Sequence, residues 1–235
     1  MRQRFLLLSA SMGAGHDAVA GELAGRLRAR GHKVLIQDVL ALLPPGVGPM
    51  LRGGYRGAIR HAPQLYGAVY AAFLSPGTGT VPRPGSAPMA ALAQGPLLRL
   101  VDRWHPDAVV STFHLSAQLT GRLRERGALR VPGVVAVIDF AVHRGWLHPG
   151  NDLHLCVTET AASAVRAATG KPAEVTGPVV PGRFHAAGES PGSGETDRAW
   201  RDEFDRRAPG RPAVLLSAGA WGVASELAGT ARRLV

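Results

Sequence analysis

An apolar run that breaks abruptly into glycine constrains this chain more than any other feature. Phe5-Leu6-Leu7-Leu8 leads through Ser9-Ala10-Ser11-Met12 into Gly13-Ala14-Gly15-His16. A continuous apolar run reads as a strand buried on both faces, as in a parallel sheet. Beyond Asp17, the residues Val19, Leu23 and Leu27 fall on one face of a helix. Strand, glycine turn and helix together open a Rossmann-like α/β fold. The unpaired N–H groups of a first helical turn favour anionic groups, and small residues let a ligand approach the backbone. Gly13 and Gly15 are therefore candidate binding positions. His16 is expected in that turn, at the carboxyl end of the first strand, where open α/β sheets bind ligands.

Two readings of the turn compete. Gly13-x-Gly15-x-x-Ala18 also fits a dinucleotide fingerprint, with Asp38 about twenty residues on as a ribose-binding carboxylate. That reading gives an NAD(P)-dependent oxidoreductase. The plainer reading is that the glycines only permit close helix–strand packing and that Asp38 caps the next element.

Downstream, strands alternate with helices at the spacing of a parallel sheet covered on both faces. Strands are expected at 33–37, 107–111, 134–139, 153–157 and 173–175. Helices are expected from Asp17, over 90–104, over 115–126 and from Thr158 or Glu159 to 169. An irregular region begins at Pro44-Pro45-Gly46. Residues 51–73 then turn amphipathic, with Arg52, Arg56 and Arg60 recurring every four residues as one basic stripe. Pro63 is expected to start a short helix whose apolar side carries Tyr66, Val69, Tyr70 and Phe73. Residues 75–88 have turn composition. Residues 186–197 have linker composition, which divides the chain into an N-terminal domain over 1–185 and a second unit over 198–235. The second unit repeats the opening scheme: an apolar run from Arg211, glycines at Gly219 and Gly222, then helical periodicity over 227–235. It reads as the start of a second Rossmann-like domain, incomplete after one βα unit.

The net charge of +10 sits on the first part of the chain: residues 1–185 carry 20 Lys and Arg against 10 Asp and Glu, and residues 186–235 carry 7 of each. This basic excess reads either as an arginine-rich composition or as attraction to an anionic surface. With three tyrosines and six phenylalanines and no basic–aromatic pattern, nucleic acid is disfavoured as the partner. The single cysteine, Cys156, excludes an internal disulfide and lies in an apolar run, as a buried thiol would. The apolar start is too short for a signal peptide, and no segment reaches the roughly 18 apolar residues of a membrane span. The expectation is a soluble chain. His143, His148 and His154 match no metal-ligand spacing, so no metal site is expected.

Four stretches in register resemble the monogalactosyldiacylglycerol synthase and diacylglycerol glucosyltransferase family. Ser9 to His16 is similar to its first motif, and His61-Ala62-Pro63 with Tyr66 and Tyr70 to its Ala-Pro…Tyr…Tyr segment. Ile138-Asp139 with His143 and Trp146 is similar to its Thr-Asp…His…Trp segment. Gly177-Pro178 through Pro181 to Phe184 is similar to its Gly-Ile-Pro-Val…Phe segment.

The resemblance implies a GT-B glycosyltransferase of two facing Rossmann-like domains, an N-terminal one for the lipid acceptor and a C-terminal one for a UDP-sugar. The implied reaction is inverting transfer of a hexose to the free hydroxyl of diacylglycerol, with no metal or other cofactor. Inversion by direct displacement needs one base on the acceptor hydroxyl. His16 is the first candidate, since an ordinary imidazole pKa of about 6.5 leaves it mostly neutral, and Asp139 is the second. Gly13, Gly15, Tyr66, Tyr70, His143 and Trp146 would form the acceptor site, and Gly219 and Gly222 would touch the donor's phosphates. Arg52, Arg56 and Arg60 would dock the protein on anionic membrane, at the inner face of the plasma membrane. A non-catalytic lipid-binding protein at the membrane surface is the remaining alternative, and the oligomeric state and the sugar are open. The chain alone is expected to turn over little, because the second unit is incomplete. Two departures stand out: Ser111-Thr112-Phe113-His114 replaces the family's Ser-Thr-His-Pro, so the resemblance assigns His114 no role, and Val137-Ile138-Asp139 replaces Val-Thr-Asp.

Overall fold

Leu6, Leu7 and Leu8 are completely buried, which is what a strand covered on both faces demands. In the computed structural model this strand, β1 (Arg4–Ser9), lies inside a six-stranded sheet. The structure describes residues 1–61, 64, 87–184, 193–212, 214–217 and 227–234. Within them the chain divides into two compact units, Met1–Val179 and Val180–Val235.

The first unit holds the sheet. Its strands are β1, β2 (Lys33–Asp38), β3 (Ala108–Ser111), β4 (Gly133–Ala136), β5 (Leu153–Cys156) and β6 (Ala173–Val175). All pairs are parallel, in the order β2-β1-β3-β4-β5-β6. The chain therefore winds one way from β1 to β2 and the other way from β3 onward. That reversal opens a crevice at the carboxyl ends of β1 and β3, the place where such sheets bind ligands.

Helices cover both faces. Leu7 packs on Ala20 and Ala24 of α1 (Ala14–Ala29), with Val110 and Ala136 on the same side. The opposite face carries Leu6, Leu8 and Val109, covered by Ala90, Ala93 and Leu97 of α3 (Ala87–Trp104) and by Leu115, Leu119 and Leu123 of α4 (His114–Glu125). Further along the sheet, Ala161, Ala162 and Val165 of α5 (Glu159–Thr169) pack with Val135 and Cys156. Both ends of α5 are written locally. The Thr158 hydroxyl accepts from the Ala161 N–H, and Gly170 closes the helix in the left-handed region at φ 67°.

Several expected boundaries shift. Helix α1 starts at Ala14, so His16 lies inside its first turn and not in the preceding loop, because Gly13 at φ 117° makes the turn one residue earlier. Strand β4 stops at Ala136 and not at Asp139, leaving Asp139 in the following loop. Helix α2 (Val47–His61) begins before Leu51, and α3 begins at Ala87 and runs through Pro96. The expected helix from Pro63 lies outside the described residues.

In the second unit, α6 (Ser193–Arg207) reaches back over residues 193–197, expected to belong to the linker. The helix-favouring run of Arg, Ala and Glu that follows extends it. Glu203 holds both Arg206 and Arg207, at 2.6 and 2.5 Å. Residues 214–217, where the sequence suggests a strand, form none among the described residues. A last helix, α7, spans Leu227–Leu234.

Candidate active site

The crevice is built from three segments that the strand order brings together: the first turn of α1, the start of α4, and the loop after β4. Gly13 caps α1 with a backbone conformation that other residues rarely adopt and offers no side chain to the helix's free N–H groups. Gly15, in the same turn, is solvent-exposed, and a Cβ there would meet only Ile138 Cδ1 at 3.6 Å. Its smallness is therefore not imposed by packing.

His16 points across the reversal. Its Nδ1 lies 2.8 Å from the carbonyl oxygen of Thr112, the residue just past β3, while the Thr112 hydroxyl donates back to the His16 carbonyl at 3.3 Å. A carbonyl can only accept, so Nδ1 carries the proton and a neutral His16 leaves Nε2 bare. The ring stands edge-on to Phe113 at 4.8 Å. Burial holds the His16 pKa below its ordinary value, against the opposing pull of the Thr112 carbonyl, Asp139 and Asp17. A neutral imidazole with one bare nitrogen in a crevice has the protonation state a general base needs.

Asp139 is differently occupied. Its Oδ2 accepts from the Trp146 indole N–H at 2.7 Å and lies 3.6 Å from His143 Nε2. His143 Nδ1 in turn accepts from the Gly145 N–H at 3.1 Å, which places the neutral ring's proton on Nε2, facing the carboxylate. His143 caps a short 3-10 turn (Arg144–Trp146) that ends on Trp146, which is completely buried. Gln118 of α4 ties this turn down, donating to the Gly145 and Leu147 carbonyls at 3.0 and 2.8 Å. Gly145 is required there, because a Cβ would stand 2.8 Å from His143 Cε1 and 3.1 Å from His114 Cβ.

Among the expected site residues, the structure thus brings together Gly13, Gly15, His16, Asp139, His143 and Trp146. Tyr66, Tyr70, Gly219 and Gly222 lie outside the described residues. Arg52 does not stand free on a basic stripe: it pairs with Asp38 at 3.0 Å. Arg56 is exposed, and the side chain of Arg60 lies outside the described residues. Asp38 is a cap, as the plainer reading has it. Its Oδ1 accepts from the Leu40 N–H and its Oδ2 from Ser11 and Arg52, which leaves it committed within the protein and poorly placed for a ribose. Among the described residues no three His, Cys, Asp or Glu side chains group to hold a metal ion.

Sequence reasoning noted Thr112, Phe113 and His114 only as a departure from the family motif, with no role, and missed Gln118. The signal was the loop after β3, which becomes a site only once β3 is known to lie beside β1.

With this geometry in view, the family question is decided by one match: residues 16–180 fit the family model for monogalactosyldiacylglycerol (MGDG) synthase. The chain belongs to the MGDG synthase family. No curated protein matches it. Among solved structures it is similar to SsfS6, a Streptomyces sp. SF2575 glycosyltransferase, at 19% identity and TM-score 0.35 over 60% of this chain and 40% of that one. It is also similar to Acinetobacter baumannii MurG, at 14% identity and TM-score 0.41 over 68% of this chain and 42% of that one. A third likeness is to the glycosyltransferase SnogD from Streptomyces nogalater, at 20% identity and TM-score 0.33 over 57% and 34%. This MGDG synthase family member spans about two fifths of the first two of those structures.

Proposed function

We propose that the chain is the acceptor-binding part of a lipid glycosyltransferase that moves a hexose from a UDP-sugar to the free hydroxyl of diacylglycerol, with inversion. The observation that carries this reading is His16: fixed by the Thr112 carbonyl, kept neutral by burial, and presenting Nε2 at the reversal of the sheet. The acceptor hydroxyl binds against Nε2, which takes its proton as the oxygen attacks the anomeric carbon; the UDP leaves from the opposite face. Asp139, near enough to favour a positive charge on His16, stabilises the imidazolium that forms. Trp146 and His143 shape the wall beside the acceptor.

Diacylglycerol has almost no aqueous concentration, so such an enzyme works at a bilayer. In this reading the exposed Arg56 of α2 meets an acidic leaflet, at the inner face of the plasma membrane, and contributes about 1 kcal/mol near such a surface. Arg52 contributes less, being paired with Asp38.

The test is binding of dioctanoylglycerol, UDP-glucose and NAD to the purified chain, measured side by side by calorimetry. Saturable dioctanoylglycerol binding without NAD binding is expected. NAD binding, or no binding of the lipid, overturns the reading.

A further inference from the structure

His114 replaces the proline of the family motif, and the resemblance leaves it without a role. It opens α4 after Phe113, which supplies no side-chain cap. Its ring is set among three others: Phe113 at 4.1 Å, His143 at 5.2 Å and Trp146 at 6.3 Å. It is deeply set in the crevice yet keeps an edge toward solvent. Among the described residues neither ring nitrogen makes a hydrogen bond. Neither nitrogen is among the described side-chain atoms sealed from solvent without a partner, so the ring's polar atoms lie toward its open edge. An imidazole that lines a crevice with both nitrogens open and unclaimed by the protein offers a bound molecule one donor and one acceptor.

We propose that His114 hydrogen-bonds a neutral oxygen of the acceptor, a hydroxyl or an ester carbonyl, and that the crevice thereby selects an uncharged head over a phosphorylated one. The inference rests on the acceptor reading given above. It follows from how the imidazole is held. Burial, with His143 and His16 alongside, pushes its pKa down to about 3, so at neutral pH it is one donor and one acceptor without charge. His16 and His143 are also held below the ordinary histidine value by burial. None of the three imidazoles offers a positive charge at neutral pH, and the Asp139 carboxylate stands at 3.6 Å from His143. A phosphate placed there would face that carboxylate. The opposing group is Arg144, on the 3-10 turn next to His143, and its weight is what the anionic arm of the experiment measures.

The experiment is binding of dioctanoylglycerol and of dioctanoyl phosphatidate to the full chain and to two variants, His114→Phe and His114→Gln, with circular dichroism as the check on folding. Phenylalanine keeps an aromatic ring and removes both polar atoms. Glutamine keeps a donor and an acceptor. The wild-type chain should bind dioctanoylglycerol at least tenfold more tightly than the phosphatidate. His114→Phe should weaken dioctanoylglycerol binding about tenfold, the loss of one buried hydrogen bond, and His114→Gln should stay within about threefold of wild type. Failure of the wild-type chain to bind dioctanoylglycerol would remove the acceptor reading and the inference with it. Binding that His114→Phe leaves unchanged, or that both variants lose equally, would overturn the role of His114 alone. Equal binding of the two lipids would overturn the selection for an uncharged head.

Discussion

His16 and Asp139 face the same crevice from different segments, a helix start and a loop, and the structure has committed them differently. The first lies at the start of α1 and is held through one nitrogen by a backbone carbonyl, leaving the other nitrogen bare. The second lies in the loop after β4, where one of its oxygens already accepts from the Trp146 indole and faces His143. A group held rigidly with a bare lone pair suits proton abstraction, whereas a carboxylate tied to an indole suits positioning and charge compensation. The contrast teaches that two candidates equal by residue type are separated by what each is already bonded to.

The largest way to break this comparison is catalytic. In the chain joined to a donor-binding domain, His16→Ala should lower kcat for transfer from UDP-glucose to dioctanoylglycerol by about 10²- to 10⁴-fold. Asp139→Asn, which can still accept from Trp146, should cost about tenfold or less. If His16→Ala cost under threefold and Asp139→Asn the larger share, the two assignments would be exchanged.

Acid stability sharpens it next. His114 has a folded pKa of about 3, well below the unfolded value near 6.5. A depressed pKa means the unfolded chain binds the extra proton first. The contribution of His114 is therefore fully present above pH 6.5 and is lost as pH falls from there toward 3, by about 1.4 kcal/mol per unit. Urea midpoints at pH 7 and pH 5 should differ in that direction, and His114→Phe should remove the His114 share, leaving the part that His16, His143, His148 and His154, also lowered by burial, contribute. A midpoint in the wild-type chain that does not move over this range would contradict the buried, neutral His114.

Gly145→Ala tests the Asp139 side through packing. The new Cβ would press on the His143 ring and on His114, a clash of about 1–3 kcal/mol, read as a lowered denaturation midpoint. The smallest effects belong to α2. Arg56→Gln should weaken binding to vesicles rich in acidic lipid by about 1 kcal/mol at low salt. Arg52→Gln should weaken it less and lower stability slightly, since it leaves Asp38 without its ion pair.

Much of the frame was legible in the sequence because its signals are local. The leucine run from Leu6 to Leu8 could only be a doubly covered strand, and Thr158 and Gly170 mark both ends of α5. His16, His143 and Trp146 were legible because they fall in short motifs with fixed spacing. The rest depends on facts that no local pattern holds. The strand order places the loop after β3 against His16, so Thr112, Phe113 and His114 enter the site only through tertiary structure. The early end of β4 likewise frees Asp139 to turn toward Trp146. Arg52 shows the reverse: its four-residue spacing suggested a free basic face, and a partner distant in sequence claimed it.

The central claim is the protonation state of His16, and histidine-selective ¹⁵N NMR of the chain measures it directly. At pH 7 the account predicts a protonated Nδ1, a bare Nε2 and a titration midpoint below 6.5, with His16→Ala identifying the resonances. A proton on Nε2 at pH 7, or a midpoint above 6.5, would contradict it.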